Sequence, residues 1–120
     1  MHELSIACSI VETVEENLPS EVARVSKVRL RIGKLSGVVE DALRFSFDIA
    51  TENTRVAGAS LEIETVPVVV HCDKCGTDSE LGNPPIFRCK DCGESTANIL
   101  QGKEMEIVSV EFEDGKAANP

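Results

Sequence analysis

Two short cysteine pairs constrain this chain more than any other feature. Cys72-Asp73-Lys74-Cys75-Gly76 and Cys89-Lys90-Asp91-Cys92-Gly93 are paired CxxCG knuckles, with thirteen residues from Gly76 to Arg88 bridging them. Two residues between the members of a pair let a tight turn aim both sulfurs at one ion. The glycine that follows lets the backbone fold beneath, so that its N–H groups face the thiolates. Doubled in this way, the pattern reads as a zinc ribbon in which Cys72, Cys75, Cys89 and Cys92 close a tetrahedral shell. A closed shell has no position for water or substrate, so the ion is expected to be structural, with zinc first and iron second. The competing reading, a pair of redox dithiols, is weaker because neither pair opens a helix after a strand.

Without its ion this module has little to fold around. Leu81, Ile86 and Phe87 are its sizeable apolar groups, and Pro84-Pro85 takes the hairpin tip. Metal binding, of order 10 kcal/mol in such small sites, supplies what packing cannot. Its surface carries Lys74, Arg88 and Lys90 against Asp73, Asp78, Glu80, Asp91 and Glu94, which suits a protein partner better than a nucleic acid.

The remainder of the chain is bounded by size and charge. Its 120 residues allow one ordinary domain plus a small module, and not two full domains. A net charge of −9 repels phosphate backbones and anionic lipid, and four Phe with no Trp or Tyr leave few platforms for stacking bases. No nucleic acid and no membrane is expected among the partners. The longest apolar run, around Val68-Val69-Val70, is far short of the roughly 18 residues of a span. The start of the chain lacks a basic n-region, so a cytoplasmic protein is expected, in which five cysteines favour metal chemistry over disulfides.

From Leu4 the residues Leu4, Ala7, Cys8, Val11, Val14 and Leu18 recur at helical spacing, with Glu12, Glu15 and Glu16 opposite and Pro19 as the stop. Val28, Leu30 and Ile32 then alternate with Lys27, Arg29 and Arg31 as in a strand with one wet face, ended by Gly33. A second, more deeply buried helix is expected from Val38 to about Thr51, capped by Ser36 or Gly37 and opened by Glu40 and Asp41, whose charge suits a helix N-terminus. Leu61 to Val70 reads as one strand, with Glu62 and Glu64 placed to meet the basic face of the first strand. A last strand, Glu104 to Glu113, turns Val108, Val110 and Phe112 inward, and Asp114 to Pro120 reads as a frayed tail. Strands joined through a helix should be parallel.

Met1-His2-Glu3 is short, yet its chemistry is specific. A histidine in second position offers the terminal amine, its own backbone nitrogen and an imidazole nitrogen as one chelate, a set suited to Ni(II) and Cu(II). The plain alternative is a solvated terminus in which His2 does nothing.

Met1-His2-Glu3-Leu4, Arg31-Ile32-Gly33-Lys34-Leu35-Ser36-Gly37-Val38, Leu43-Arg44-Phe45-Ser46-Phe47-Asp48, the doubled CxxC and Gln101-Gly102-Lys103-Glu104-Met105 together resemble the HypA/HybF family of hydrogenase maturation proteins. The match spans nearly the whole chain. The resemblance implies a nickel metallochaperone and not an enzyme, with Ni(II) as transient cargo at Met1 (through its amine), His2 and Glu3. It implies structural Zn(II) at Cys72, Cys75, Cys89 and Cys92. The partners it implies are a HypB-type GTPase, the [NiFe]-hydrogenase large subunit and, in some organisms, urease maturation proteins. Some relatives have a longer segment between the cysteine pairs that offers histidine, whereas the thirteen residues here contain none.

The other candidates have plainer readings. His71 reads as a strand-end residue packing beside the ribbon, with a donor behind the metal shell or a transient nickel ligand during transfer as its alternative. Cys8 reads as a small buried hydrophobe. Gly33-Lys34 does not continue into a phosphate loop. The expectation is therefore an α+β fold: a small mixed sheet of about three strands with two helices, plus an inserted four-cysteine zinc-ribbon subdomain. The nickel-binding α+β domain takes residues 1–70 together with 104–113, the ribbon takes 71–103, and 114–120 form a flexible tail. A zinc-ribbon adaptor without metal delivery is the alternative function.

Overall fold

The computed structural model describes residues 2–114. Met1 and the segment 115–120, which holds most of the expected tail, lie outside the described residues. The elements in chain order are α1 (Glu3–Asn17), β1 (Val22–Gly33), a 3-10 turn (Lys34–Ser36), α2 (Glu40–Ala50), β2 (Ser60–Val66), β3 (Val69–Cys72), β4 (Thr77–Glu80), β5 (Ile99–Gln101) and β6 (Met105–Asp114). They form two three-stranded sheets, β2-β1-β6 and β4-β3-β5, and the chain divides into two compact units. No helix among the described residues is long and apolar enough to cross a membrane.

The first unit contains the residues up to Leu30, Val38–Glu64, and those from Glu106 onward. Its sheet is mixed, as expected. The contacts of β1 with the approach to β2 and with β2 itself advance together, from Val25 and Arg55 to Arg29 and Glu62. Those with β6 run oppositely, Ser26 meeting Glu111 and Arg24 meeting Glu113. Val28, Leu30 and Ile32 are buried, while the wet face pairs Lys27 and Arg29 with Glu62, at 3.0 Å and 2.8 Å. The opposite charges foreseen on neighbouring strands do meet.

The helices lie where expected, but their buried faces and the cap of α2 differ from expectation. Helix α1 buries Ala7, Ile10, Val11 and Val14, so its stripe runs through Ile10 and leaves Leu4 and Cys8 exposed. Cys8, expected to be buried, sits one residue and about 100° round the helix from Ala7 and misses the core. Helix α2 buries Leu43, Ser46 and Phe47 but not Phe45 or Ile49, which are 69% and 44% exposed. Burying a side chain such as Leu43 or Phe47 contributes about 1.5–3 kcal/mol. Its N-cap is Val39, since Ser36 belongs to the 3-10 turn that Gly37, at φ 80°, closes. On β6, Val108 and Phe112, expected to turn inward, are half exposed, beside a groove that Thr13, Val14, Asn17 and Leu18 also line.

The second unit is Arg31–Gly37 with Thr65–Met105. The single strand expected from Leu61 to Val70 is two strands in two sheets, divided at Pro67, which has no N–H to give a ladder. Past the break, Val68 and Val70 bury themselves with Leu81, and Leu35, Phe87 and Ile99 pack around them. Strand β3 pairs antiparallel with β4, Cys72 opposite Thr77, and with β5 on its other side.

Candidate metal centre

The first knuckle lies on the turn between β3 and β4, where the Gly76 N–H returns to the Cys72 carbonyl at 2.7 Å. The second repeats the closure, Gly93 N–H to Cys89 carbonyl, at 2.9 Å. Both glycines have positive φ, 68° and 75°, the left-handed conformation that the closure needs and that a side chain disfavours. Thr77 donates to the Asp91 carboxylate and Lys90 N–H to the Ser79 hydroxyl, so the two knuckles are pinned together.

That pinning brings all four sulfurs within 4.8 Å of one another. Cys72 and Cys92 Sγ are 3.7 Å apart, and Cys75 and Cys89 Sγ 3.9 Å apart. A regular tetrahedron with metal–sulfur bonds of about 2.3 Å has edges of about 3.8 Å, so the cluster has the dimensions of a closed metal–thiolate shell. Main-chain N–H groups of Cys92 and Asp91 favour the Cys89 thiolate and draw its pKa down to about 6. Hydrogen bonding with the crowded sulfurs, Cys92 first, and then desolvation push Cys75 up to about 12. Four sulfurs crowded this closely are a set that a cation completes, by taking the place of their protons.

His71 lies in β3, and its Nδ1 is 2.7 Å from Asp78 Oδ1, across the β3–β4 ladder. Its backbone is equally occupied, with N–H to the Asn98 carbonyl and its carbonyl accepting from Thr96 Oγ1. His71 is thus a residue of β3 with its ring held against Asp78.

At the other end of the chain, His2 is exposed and is the N-cap of α1, its carbonyl accepting the Ile6 N–H. Glu3 is the first residue of that helix, and its Oε2 accepts the Val39 N–H at 3.1 Å. This bond, first among the causes, holds the Glu3 carboxyl below its ordinary pKa. Nothing in the sequence signalled it, because the partners are 36 residues apart and the donor is a main-chain group. Glu40 and Asp41 open α2, where the helix dipole accounts for them.

A family model described as hydrogenase/urease nickel incorporation, metallochaperone, hypA, matches residues 1–112. This chain belongs to the HypA family. The hydrogenase maturation factor HypA of Roseiflexus sp. is 51% identical over 115 residues, covering 95% of this chain and 94% of the relative. That of Chloroflexus aurantiacus is 53% identical over 113 residues, covering 92% and 98%. A solution structure of HypA protein aligns with a TM-score of 0.64 at 25% identity, over 94% of this chain and 97% of that one. The solution structure of the Ni metallochaperone HypA from Helicobacter pylori aligns at 0.63 and 24% identity, over 93% and 97%, and speaks for the fold. As a HypA protein, the chain is a nickel metallochaperone of hydrogenase maturation with a four-cysteine metal site, and not an enzyme.

Proposed function

We propose that this chain carries Ni(II) on its N-terminus, held by the Met1 amine, His2 and Glu3, and releases it to the [NiFe]-hydrogenase large subunit. Zn(II), bound by Cys72, Cys75, Cys89 and Cys92, keeps the ribbon folded and takes no part in the transfer. The observation that carries this reading is that the family match begins at residue 1 and so includes Met1-His2-Glu3, with His2 exposed at the head of α1. A cytoplasmic setting suits the unpaired thiols.

Copper(II) outbinds nickel(II) at nitrogen donors, so this chelate cannot select its cargo by affinity alone. Selection then belongs to the complex in which transfer occurs, with a HypB-type GTPase and, in organisms that have it, the urease maturation proteins. Titrating the zinc-loaded protein with Ni(II) tests the reading: one nickel should bind per chain with no zinc released. Absence of nickel binding would leave a zinc-ribbon adaptor. Pull-down from cells should recover a nickel-handling GTPase or a hydrogenase subunit.

A further inference from the structure

The sheet of the first unit ends at β2 on one side and at β6 on the other. An edge strand turns one row of main-chain N–H and C=O groups away from the sheet, where another strand can pair with them. The two edges are finished differently. Strand β2 has seven residues and buries Leu61 and Val66, whereas β6 has ten and leaves Val108 and Phe112 52% and 47% exposed. Of the usual guards against such pairing, β6 has neither a proline nor a lysine. Beside it runs a groove of about 340 Å³, lined by Val14 and Leu18 on the helix side and by Val108, Val110 and Phe112 on the strand side.

The charge around that groove has one sign. Neither α1 nor β6 contains a lysine or an arginine, and Glu12 and Glu16 on the helix and Glu111 and Glu113 on the strand are exposed. The arginines that approach the last two, Arg29 and Arg24, come from β1 and stop at 3.8 Å and 3.9 Å. A second copy would set the same acidic walls against each other, and like charges on facing strands repel. The occupant that fits has apolar side chains for the groove and lysines or arginines for its rim. We propose that β6 is a docking edge: it takes an extended segment of a partner protein, alternately apolar and basic, as a fourth strand of this sheet. Main-chain pairing gives the attachment, and because side chains alternate along a strand, one face of the segment enters the groove while the other stays wet. No group of the nickel or the zinc site takes part, so the edge works whether or not nickel is bound.

Two acetylated decapeptides test this on the full, zinc-loaded chain, one alternating valine with lysine and the other valine with glutamate. The valine–lysine peptide should shift the amide resonances of Val14 and Leu18 together with those of Val108, Val110 and Phe112, and should bind more weakly as salt rises. With that peptide at about ten times its Kd, the β6 amides that gain a strand partner should exchange about tenfold more slowly. The valine–glutamate peptide should do neither. Glu12→Lys combined with Glu16→Lys, both at exposed positions, should weaken the first peptide and admit the second. Phe112→Ser, which strips one wall of the groove, should weaken the first peptide without admitting the second. Should a variant fail to fold, the two peptides on the native chain still decide. No binding, equal binding of both peptides, or resonance shifts without slower exchange along β6 would overturn the proposal. A dimer in sedimentation whose β6 amides are already protected would overturn it in favour of a second copy.

Discussion

Gly33→Ala isolates a single steric contact at the end of β1. The backbone there, φ −74° and ψ 149°, is open to any residue, so conformation alone predicts no penalty. Space predicts otherwise. A Cβ on Gly33 would stand 2.0 Å from the Gly102 carbonyl oxygen and 2.1 Å from its carbon, both main-chain atoms that cannot rotate away. Restoring ordinary contact requires a shift of more than about 1 Å, and two hydrogen bonds hold the strands against it. These are Gly33 N–H to the Glu104 carbonyl at 2.8 Å and Leu35 N–H to the Gly102 carbonyl at 2.7 Å. Overpacking of about 1–3 kcal/mol and about 1 kcal/mol per lost bond give a total near 3–5 kcal/mol. At about 1.4 kcal/mol per tenfold, amide exchange at Leu35 and Leu81 should accelerate by roughly two to four orders of magnitude. Amides of α1, in the other unit, should change far less. Native-like protection at Leu35 and Leu81 in the alanine variant would refute the steric argument.

Other predictions rest on separate contacts. Cys75→Ser opens the four-thiolate shell, so zinc per chain should fall and the ribbon should become protease-sensitive while α1 and α2 keep their helical signal; a zinc-free yet resistant ribbon would contradict this. Glu15 is held by Arg55, with Oε2 2.8 Å from the Arg55 N–H nitrogen and Oε1 2.9 Å from Nε, which keeps its carboxyl below the usual range. Its stabilisation is present above the unfolded value near 4.3 and is lost as pH falls through the lower folded value. Glu15→Gln should therefore cost about 1–2 kcal/mol in urea unfolding at neutral pH, and the gap should close as pH falls below the unfolded value and through the lower folded one. Ser109 Oγ is buried without a partner among the described residues, so Ser109→Ala should melt at the same temperature or higher; a loss beyond about 1 kcal/mol would reveal a partner for that hydroxyl.

What could be read in advance follows from how local the signal is. The doubled CxxCG was legible because two residues and a glycine already dictate the turn, and the strand period of Val28, Leu30 and Ile32 with its charged face needed only neighbours in sequence. The pairing of Arg29 with Glu62 followed from charge and alternation. Pro67 was visible, but the valines on both sides of it hid the change of sheet. Burial along α2 was misjudged because Phe45 and Ile49 are apolar in composition yet lie away from Leu43 and Phe47. The place of Arg31–Gly37 in the second unit, through Leu35 beside Val68 and Leu81, depends on a return of the chain that no periodicity encodes. The same is true of Glu3 and Val39. At the candidate site the ribbon cysteines were complete in the sequence, whereas the group that holds Glu3 is main chain and carries no residue-type signal.

Nickel capture at the free N-terminus is decided by calorimetric titration of four zinc-loaded proteins with Ni(II): the native chain, His2→Ala, a chain extended before Met1, and one extended after Pro120. Amine, amide and imidazole close adjoining chelate rings only when His2 follows a free terminus, and the α-amine, with a pKa near 8, yields its proton to a metal at neutral pH. Any upstream residue turns that amine into an amide. The N-terminal extension should weaken nickel binding nearly as much as His2→Ala, the C-terminal extension should leave it unchanged, and all four proteins should keep their zinc. Native nickel affinity in the N-terminally extended protein would contradict the proposed chelate.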